Sequence, residues 1–289
     1  MAGHKSLIDK EVPENMPLQV YTLGRFSLVR DGVTLRYSRK APSKPLLLLK
    51  VLIASGGRQV GAMNIASLLW PDKDGDLVQQ SFETTLHRLR KYLGDDGYLL
   101  LQDSRLTLNS AMVWVDAWDF ERHLTELRRL MTVPGSGDDD RFDALSSQVL
   151  RMYQGHFLSR DDAACWSVSM QERLRSKYVH GLLDFGRYWE SRGLLHRAIE
   201  CYRKGIEVDD LIETFYQRLM QCLLETGREP EAIATYRQCR HVLSDTMPEL
   251  CRWWRQPLWP ERARVSRGSG RGSFLRRVAK SSRKGMRGG

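Results

Sequence analysis

Two hydrophobic rhythms run along this chain, and each predicts different elements. From Leu18 to Leu23, Phe26 to Arg30 and Val33 to Tyr37 the apolar positions predict short strands. Asp31-Gly32 stands between the last two, a pair suited to the positive backbone angles of a two-residue hairpin turn. Then the period lengthens. Leu46 to Ile53 is apolar nearly all round and predicts a central helix. Ser43 is placed to cap it, Pro45 falls in its first turn, and Gly56-Gly57 stop it. A shorter helix is expected around Ala62 to Leu69, ended by Trp70-Pro71. Leu77 to Gly94 carries the strongest pattern. Val78, Phe82, Leu86, Leu89 and Leu93 recur at helical spacing on one face. The opposite face carries Gln80, Thr84, His87, Arg88 and Lys91, with Asp76 as the expected cap. Two short strands, Tyr98 to Gln102 and Leu106 to Asn109, follow around a polar turn.

Beyond that hairpin the reading is helical, opened by VWVDAWDFERHLTELRRL. MTVPGSGDDD reads as a flexible acidic loop, and helical patterns cover Arg141 to Gln154 and Trp166 to Trp189. An internal repeat comes next. Gly193, Ala198, Ile199, Tyr202 and Arg203 recur at Gly227, Ala232, Ile233, Tyr236 and Arg237, every pair at the same offset of 34. That is the tetratricopeptide period, with Gly at the turn and Ala at the close helix contact. Gly186 falls where the first repeat wants a small residue. Such repeats build concave protein-binding surfaces. Tyr202 and Tyr236 are read as packing residues.

Strands, two helices, a long amphipathic helix and a hairpin, in that order, are the parts of a winged helix-turn-helix. The predicted fold is an α+β winged helix domain over residues 18–110, after a flexible segment 1–17. An all-α tetratricopeptide-like domain over 111–251 and a disordered basic tail over 252–289 complete it. Charge follows the same divisions. Residues 18–110 carry a net +5, residues 111–251 a net −5, and the tail +11, against a chain total of +10. A basic first half fits a polyanion-binding module joined to something else. The tail points weakly to a polyanion, and reads equally as a solvated end.

In the helix Leu77 to Gly94, amide, hydroxyl, imidazole and cationic groups share the outer face, the types that meet base edges and phosphates. The same pattern also describes any solvated amphipathic helix. Arg39, Lys40 and Lys44 cluster before the first helix, either to touch phosphates or as a solvated loop. Asp72, Asp74, Asp76 and Glu83 match four positions of a calcium-loop pattern, but Leu77 stands where that loop needs Gly, so the segment is read as a helix start. No P-loop, zinc-ligand or nucleophile-elbow pattern occurs, and the seven His are scattered. No enzyme activity, cofactor or metal is therefore expected. The five Cys form no CxxC pair and read as reduced thiols. No apolar run approaches the length of a membrane span. A cytoplasmic protein is expected.

Specific phrases carry a family resemblance. LGRFSLVRDG, SRKAPSKPLLLLKVLIASGG, LLWPD, SFETTLHRLRKYLG and VWVDAWDFERHL, within about residues 18–124, resemble the bacterial transcriptional activator domain family, which includes the antibiotic-regulatory activators. Its winged helix is of the OmpR type. GHFLSRDDAACW, REPEAIATYRQCRHVL and the repeat resemble the family's helical half, and the likeness fades after about Leu243. The SRKAPSKPLLLLKVLIASGG phrase is also similar to the DNA-binding portion of larger ATP-dependent regulators, so this chain is read as a short relative or a fragment of one. The resemblance implies a DNA-binding activator whose partners are double-stranded DNA and RNA polymerase or other transcription proteins. It further implies a homodimer on direct repeats. Carried over by position, it makes Thr84, His87, Arg88, Arg90 and Lys91 contacts, with Arg90 on the helix flank; Gln80 and the wing's Arg105 join them on their own chemistry. Glu83 is the residue that suits this face least. The segment ahead of Leu18 is too short for a phosphoacceptor domain, so none is expected before the winged helix. The competing reading is a helical-repeat adaptor whose winged helix docks protein instead of DNA.

Overall fold

The computed structural model describes residues 16–35, 43–72, 75–132, 139–159 and 165–246. Arg39, Lys40, most of the acidic loop, the N-terminal segment and the basic tail lie outside the described residues. The chain divides into two packed units, one through Tyr178 and one from Val179. That division falls inside a helix, whereas the change in pattern and charge falls at residues 110–111.

The first unit begins with β1 (Leu18–Tyr21), β2 (Ser27–Arg30) and β3 (Val33–Thr34). β1 and β2 are antiparallel, with Leu18 opposite Arg30. Asp31 and Gly32 both have positive φ, 50° and 77°, which the tight turn to β3 requires. α1 (Ser43–Ala54) buries Leu48, Leu49, Val51, Leu52 and Ile53 completely, as expected of a helix apolar on all sides. Gly57 ends it, with Trp118 packed so closely that a Cβ at 57 would overlap the indole. Next come β4 (Val60–Gly61), α2 (Ala62–Leu69) and α3 (Gly75–Leu93). A single 3-10 turn, Asp96–Tyr98, leads into β5 (Leu99–Gln102) and β6 (Arg105–Leu108). These pair antiparallel, and β4 adds to the free edge of β6.

β7 (Val113–Val115) corrects the reading of VWV as the opening of a helix. It lies parallel to β1, completing a sheet of order β3-β2-β1-β7. Val113 and Val115 are buried beneath it, and Trp114 meets the Tyr21 ring edge-on at 5.4 Å. Only then does α4 (Asp116–Thr132) begin, followed by α5 (Asp139–Met152) and α6 (Cys165–Ser191). Asp116 points its carboxylate back at the end of β1. It accepts from the Thr22 amide and hydroxyl, the Leu23 amide and its neighbour Ala117's amide, all within 2.6–2.8 Å. Burial pushes this carboxyl above its ordinary range, against the pull of those donors. Around Phe120, the rings of Tyr153 and Tyr178 stack at 4.2 Å. GHFL also joins this unit: Phe157 bridges Leu23, and the Leu158 amide donates to the Thr22 carbonyl.

In the second unit α7 (Leu195–Val208) follows α6, and α8 (Glu213–Glu225) precedes α9 (Glu229–Thr246). The sequence repeat is visible in the backbone. Gly193 and Gly227 have φ of 72° and 75°. Leu194 donates to the Trp189 carbonyl, and Arg228, its counterpart in the next repeat, donates to that of Leu223. These are the same helix-ending turn made twice. Tyr202 lies on Gly186, where a Cβ would overlap its ring, and Phe215 lies likewise on Gly205. Tyr202 is fully buried, and its hydroxyl donates to Glu190 at 2.6 Å.

Candidate nucleic-acid interface

α3 takes its orientation from its apolar stripe. Val78, Phe82, Leu86, Leu89 and Leu93 are all at most 4% exposed, packed with α1 and α2. Thr85 joins them, the one polar residue of the stripe's flank to be buried. This fixes which side chains face outward: Gln79, Gln80, Glu83, Thr84, His87, Arg88 and Lys91 are all exposed. Gln80, Thr84, His87, Arg88 and Lys91 make no hydrogen bond or ion pair among the described residues. Gln79 and Glu83, one turn apart, are joined by a hydrogen bond of 3.1 Å from the Gln79 amide. Asp76 lies within the first turn of α3, one residue after the helix begins at Gly75, so it is not the cap expected from the sequence. There it is still well placed for the helix dipole.

The far end of α3 is clamped from two sides. Arg30 of β2 donates from Nη1 to the Leu93 carbonyl at 2.9 Å. This satisfies one of the carbonyls that a helix C-terminus leaves open. Gly94, at φ 92°, turns the chain beneath that guanidinium. From α3 itself, Arg90 donates from Nη2 to the Leu99 carbonyl of β5 at 2.7 Å. Its Nε is buried without a partner. Arg90 is thus half-buried and engaged with the wing, whereas Arg88 and Lys91 point to solvent.

Two further residues considered for phosphate also reach protein carbonyls. Lys44 donates from Nζ to the Leu69 carbonyl at 2.6 Å, capping α2, and its ammonium lies 5.8 Å from the Trp70 ring. Arg105, exposed on β6, donates to the Gln59 carbonyl at 3.2 Å. The wing turns at Asp103 and Ser104, both of positive φ, and this tip bears an acid and no cation. Arg58 is exposed in the segment entering β4, beside the hairpin. Sequence reasoning passed over it because β4, only two residues long, leaves no pattern that ties residue 58 to the wing.

Among the described residues, no group of three or more His, Cys, Asp or Glu is assembled to hold a metal ion. No described helix is long and apolar enough to cross a membrane.

Residues 115–248 match the family model of the bacterial transcriptional activator domain. No curated protein sequence matches the chain. Among solved structures the fold is similar to that of Mycobacterium tuberculosis EmbR in complex with a low-affinity phosphopeptide, with a TM-score of 0.63 at 18% identity. The match covers 80% of this chain and 61% of that one, so the chain spans about three fifths of the length of the protein it resembles.

Proposed function

We propose that this chain, whose residues 115–248 match the family model of the bacterial transcriptional activator domain, regulates transcription by placing α3 in the major groove of duplex DNA. The observation that carries this reading is the outer face of α3: five polar or cationic side chains, all exposed and none engaged within the described protein. A groove about 12 Å wide admits one helix, and its floor offers the acceptors and donors these groups match. Arg88 and Thr84 are the base-reading residues, with Gln80 one turn earlier. His87 and Lys91 meet phosphates or the groove edge. The helical part serves contact with RNA polymerase or other transcription proteins and pairing of two copies on direct repeats.

A gel shift of the full chain against genomic fragments tests this. Arg88→Ala is expected to cost about 1–3 kcal/mol at the preferred site and to relax sequence choice there. Lys91→Ala should weaken binding to all sequences alike and reduce the salt slope by about 1. If both variants bind as the parent does, α3 is not the reader.

A second reading has its own support. Lys44, Arg90 and Arg105 donate to protein carbonyls, which thins the cationic surface available to phosphates. An adaptor whose winged helix docks protein fits that distribution. Sequence-selective binding that survives removal of residues 252–289 favours the regulator; binding that needs those residues and ignores sequence favours the adaptor.

A further inference from the structure

Glu83 is the residue that the DNA reading leaves unexplained. It sits on the flank of the outward face, one turn before His87, and it is exposed. A carboxylate in a groove walled by phosphates is repelled unless it meets a donor. Glu83 makes no ion pair with His87 at i+4. Arg90, on the same flank two turns on, is held by the Leu99 carbonyl. The only partner of the carboxylate among the described residues is Gln79, whose amide NH₂ donates to Oε1. That bond fixes the side chain along the helix and leaves Oε2 to accept from outside. A carboxylate has no hydrogen to give, so it discriminates by what it refuses. Guanine shows only acceptors, N7 and O6, in the major groove, and thymine shows O4 and a methyl group. Adenine pairs its amino donor with the N7 acceptor beside it, whereas cytosine offers the N4 amino group alone.

We propose that Glu83, braced by Gln79, is a specificity-determining residue that accepts from the N4 amino group of one cytosine in the bound duplex. The inference rests on α3 being the helix that enters the groove. It accounts for an acid beside the neutral and cationic groups of the middle turns of α3.

The test is selection of bound duplexes from a randomised library by the full chain, beside Glu83→Gln, Glu83→Ala and Gln79→Ala, each checked for native circular dichroism. The parent motif is expected to contain one position at which cytosine is preferred roughly tenfold. Both Glu83 variants should lose the preference at that position, keep the rest of the motif, and bind random duplex more tightly because a negative charge is gone. Gln79→Ala should weaken the preference in part. A parent motif that Glu83→Gln and Glu83→Ala leave unchanged overturns this inference and leaves the DNA reading standing. A parent chain that enriches no sequence overturns the DNA reading and this inference with it.

Discussion

Thr22 and Asp116, far apart in sequence, share one carboxylate: Asp116 takes both the amide and the hydroxyl of Thr22. The bond joins the end of β1 to the first residue of α4, one residue after the activator-domain match begins at Val115. Winged helix and first activator helix are therefore built on a common hydrogen-bonded corner. Asp116→Ala leaves the buried Thr22 and Leu23 amides without acceptors. It is expected to lower stability by about 2–4 kcal/mol in urea unfolding. Asp116→Asn should recover less than half of that loss, because its NH₂ faces donors. A loss of only about 0.5 kcal/mol for the alanine variant, a size ordinary for surface substitutions, would deny the corner its role.

His123 makes the same region sensitive to acid. It is 8% exposed, with Nδ1 3.9 Å from the Asp119 carboxylate and no hydrogen-bond partner on that nitrogen. Burial lowers its affinity for a proton; Asp119 opposes this and Arg122 adds to it. The unfolded chain then takes up the proton first, so stability is full above the unfolded value, about 6.5, and falls as pH drops through it. Thermal melts at pH 7.5 and 5.5 should show the lower midpoint in acid. His123→Gln should reduce the difference; an equal difference in the variant would place the acid sensitivity elsewhere.

Gly186 and Gly193 are both glycines of the first repeat, yet they are needed for different reasons. At Gly186 the Tyr202 ring occupies the space of a Cβ, so Gly186→Ala should cost about 1–3 kcal/mol through overpacking. Gly193 has open space but a φ of 72°, so Gly193→Ala should cost about 1 kcal/mol in backbone strain. Gly227→Ala should match it, because the second repeat makes the same turn. Urea unfolding of the three variants checks the order.

These cases show what was legible beforehand. The buried stripe of α3 and its outward residues follow from period alone, since one face of a long helix must pack. The repeat was legible because five residues return at one offset and the turns need Gly. β7 was not, because three residues give no period and its parallel partner lies far back in the chain. The Lys44, Arg90 and Arg105 side chains were not, because a long cation bonds to whichever carbonyl the end of another element leaves open. Arg39 and Lys40 lie outside the described residues.

The thiols should differ in reactivity. Cys165 is exposed; Cys201, Cys222 and Cys239 are buried. Burial, with the Glu190 carboxylate close by, pushes the Cys222 thiol up to about 12. A thiolate is the reactive form, so Cys222 should resist alkylation at pH 8 in the folded chain. Among the described cysteines, peptide mapping after iodoacetamide is expected to find Cys165 modified first and Cys222 only after denaturation. Early labelling of Cys222 would contradict its packing.

Arg88 and Arg90 stand two residues apart and should fail differently. Arg88 has no partner among the described residues, so Arg88→Ala should leave the melting temperature unchanged and act only on DNA. Arg90 ties α3 to the wing through the Leu99 carbonyl, and Arg90→Ala should cost about 1–2 kcal/mol of stability. Because its guanidinium is held by the wing and its loss loosens the hairpin, it should weaken every DNA sequence by the same factor. Melting curves and binding to two sites of different affinity separate the roles. An Arg90→Ala chain that melts as the parent does but loses discrimination between the sites would make Arg90 a base contact after all.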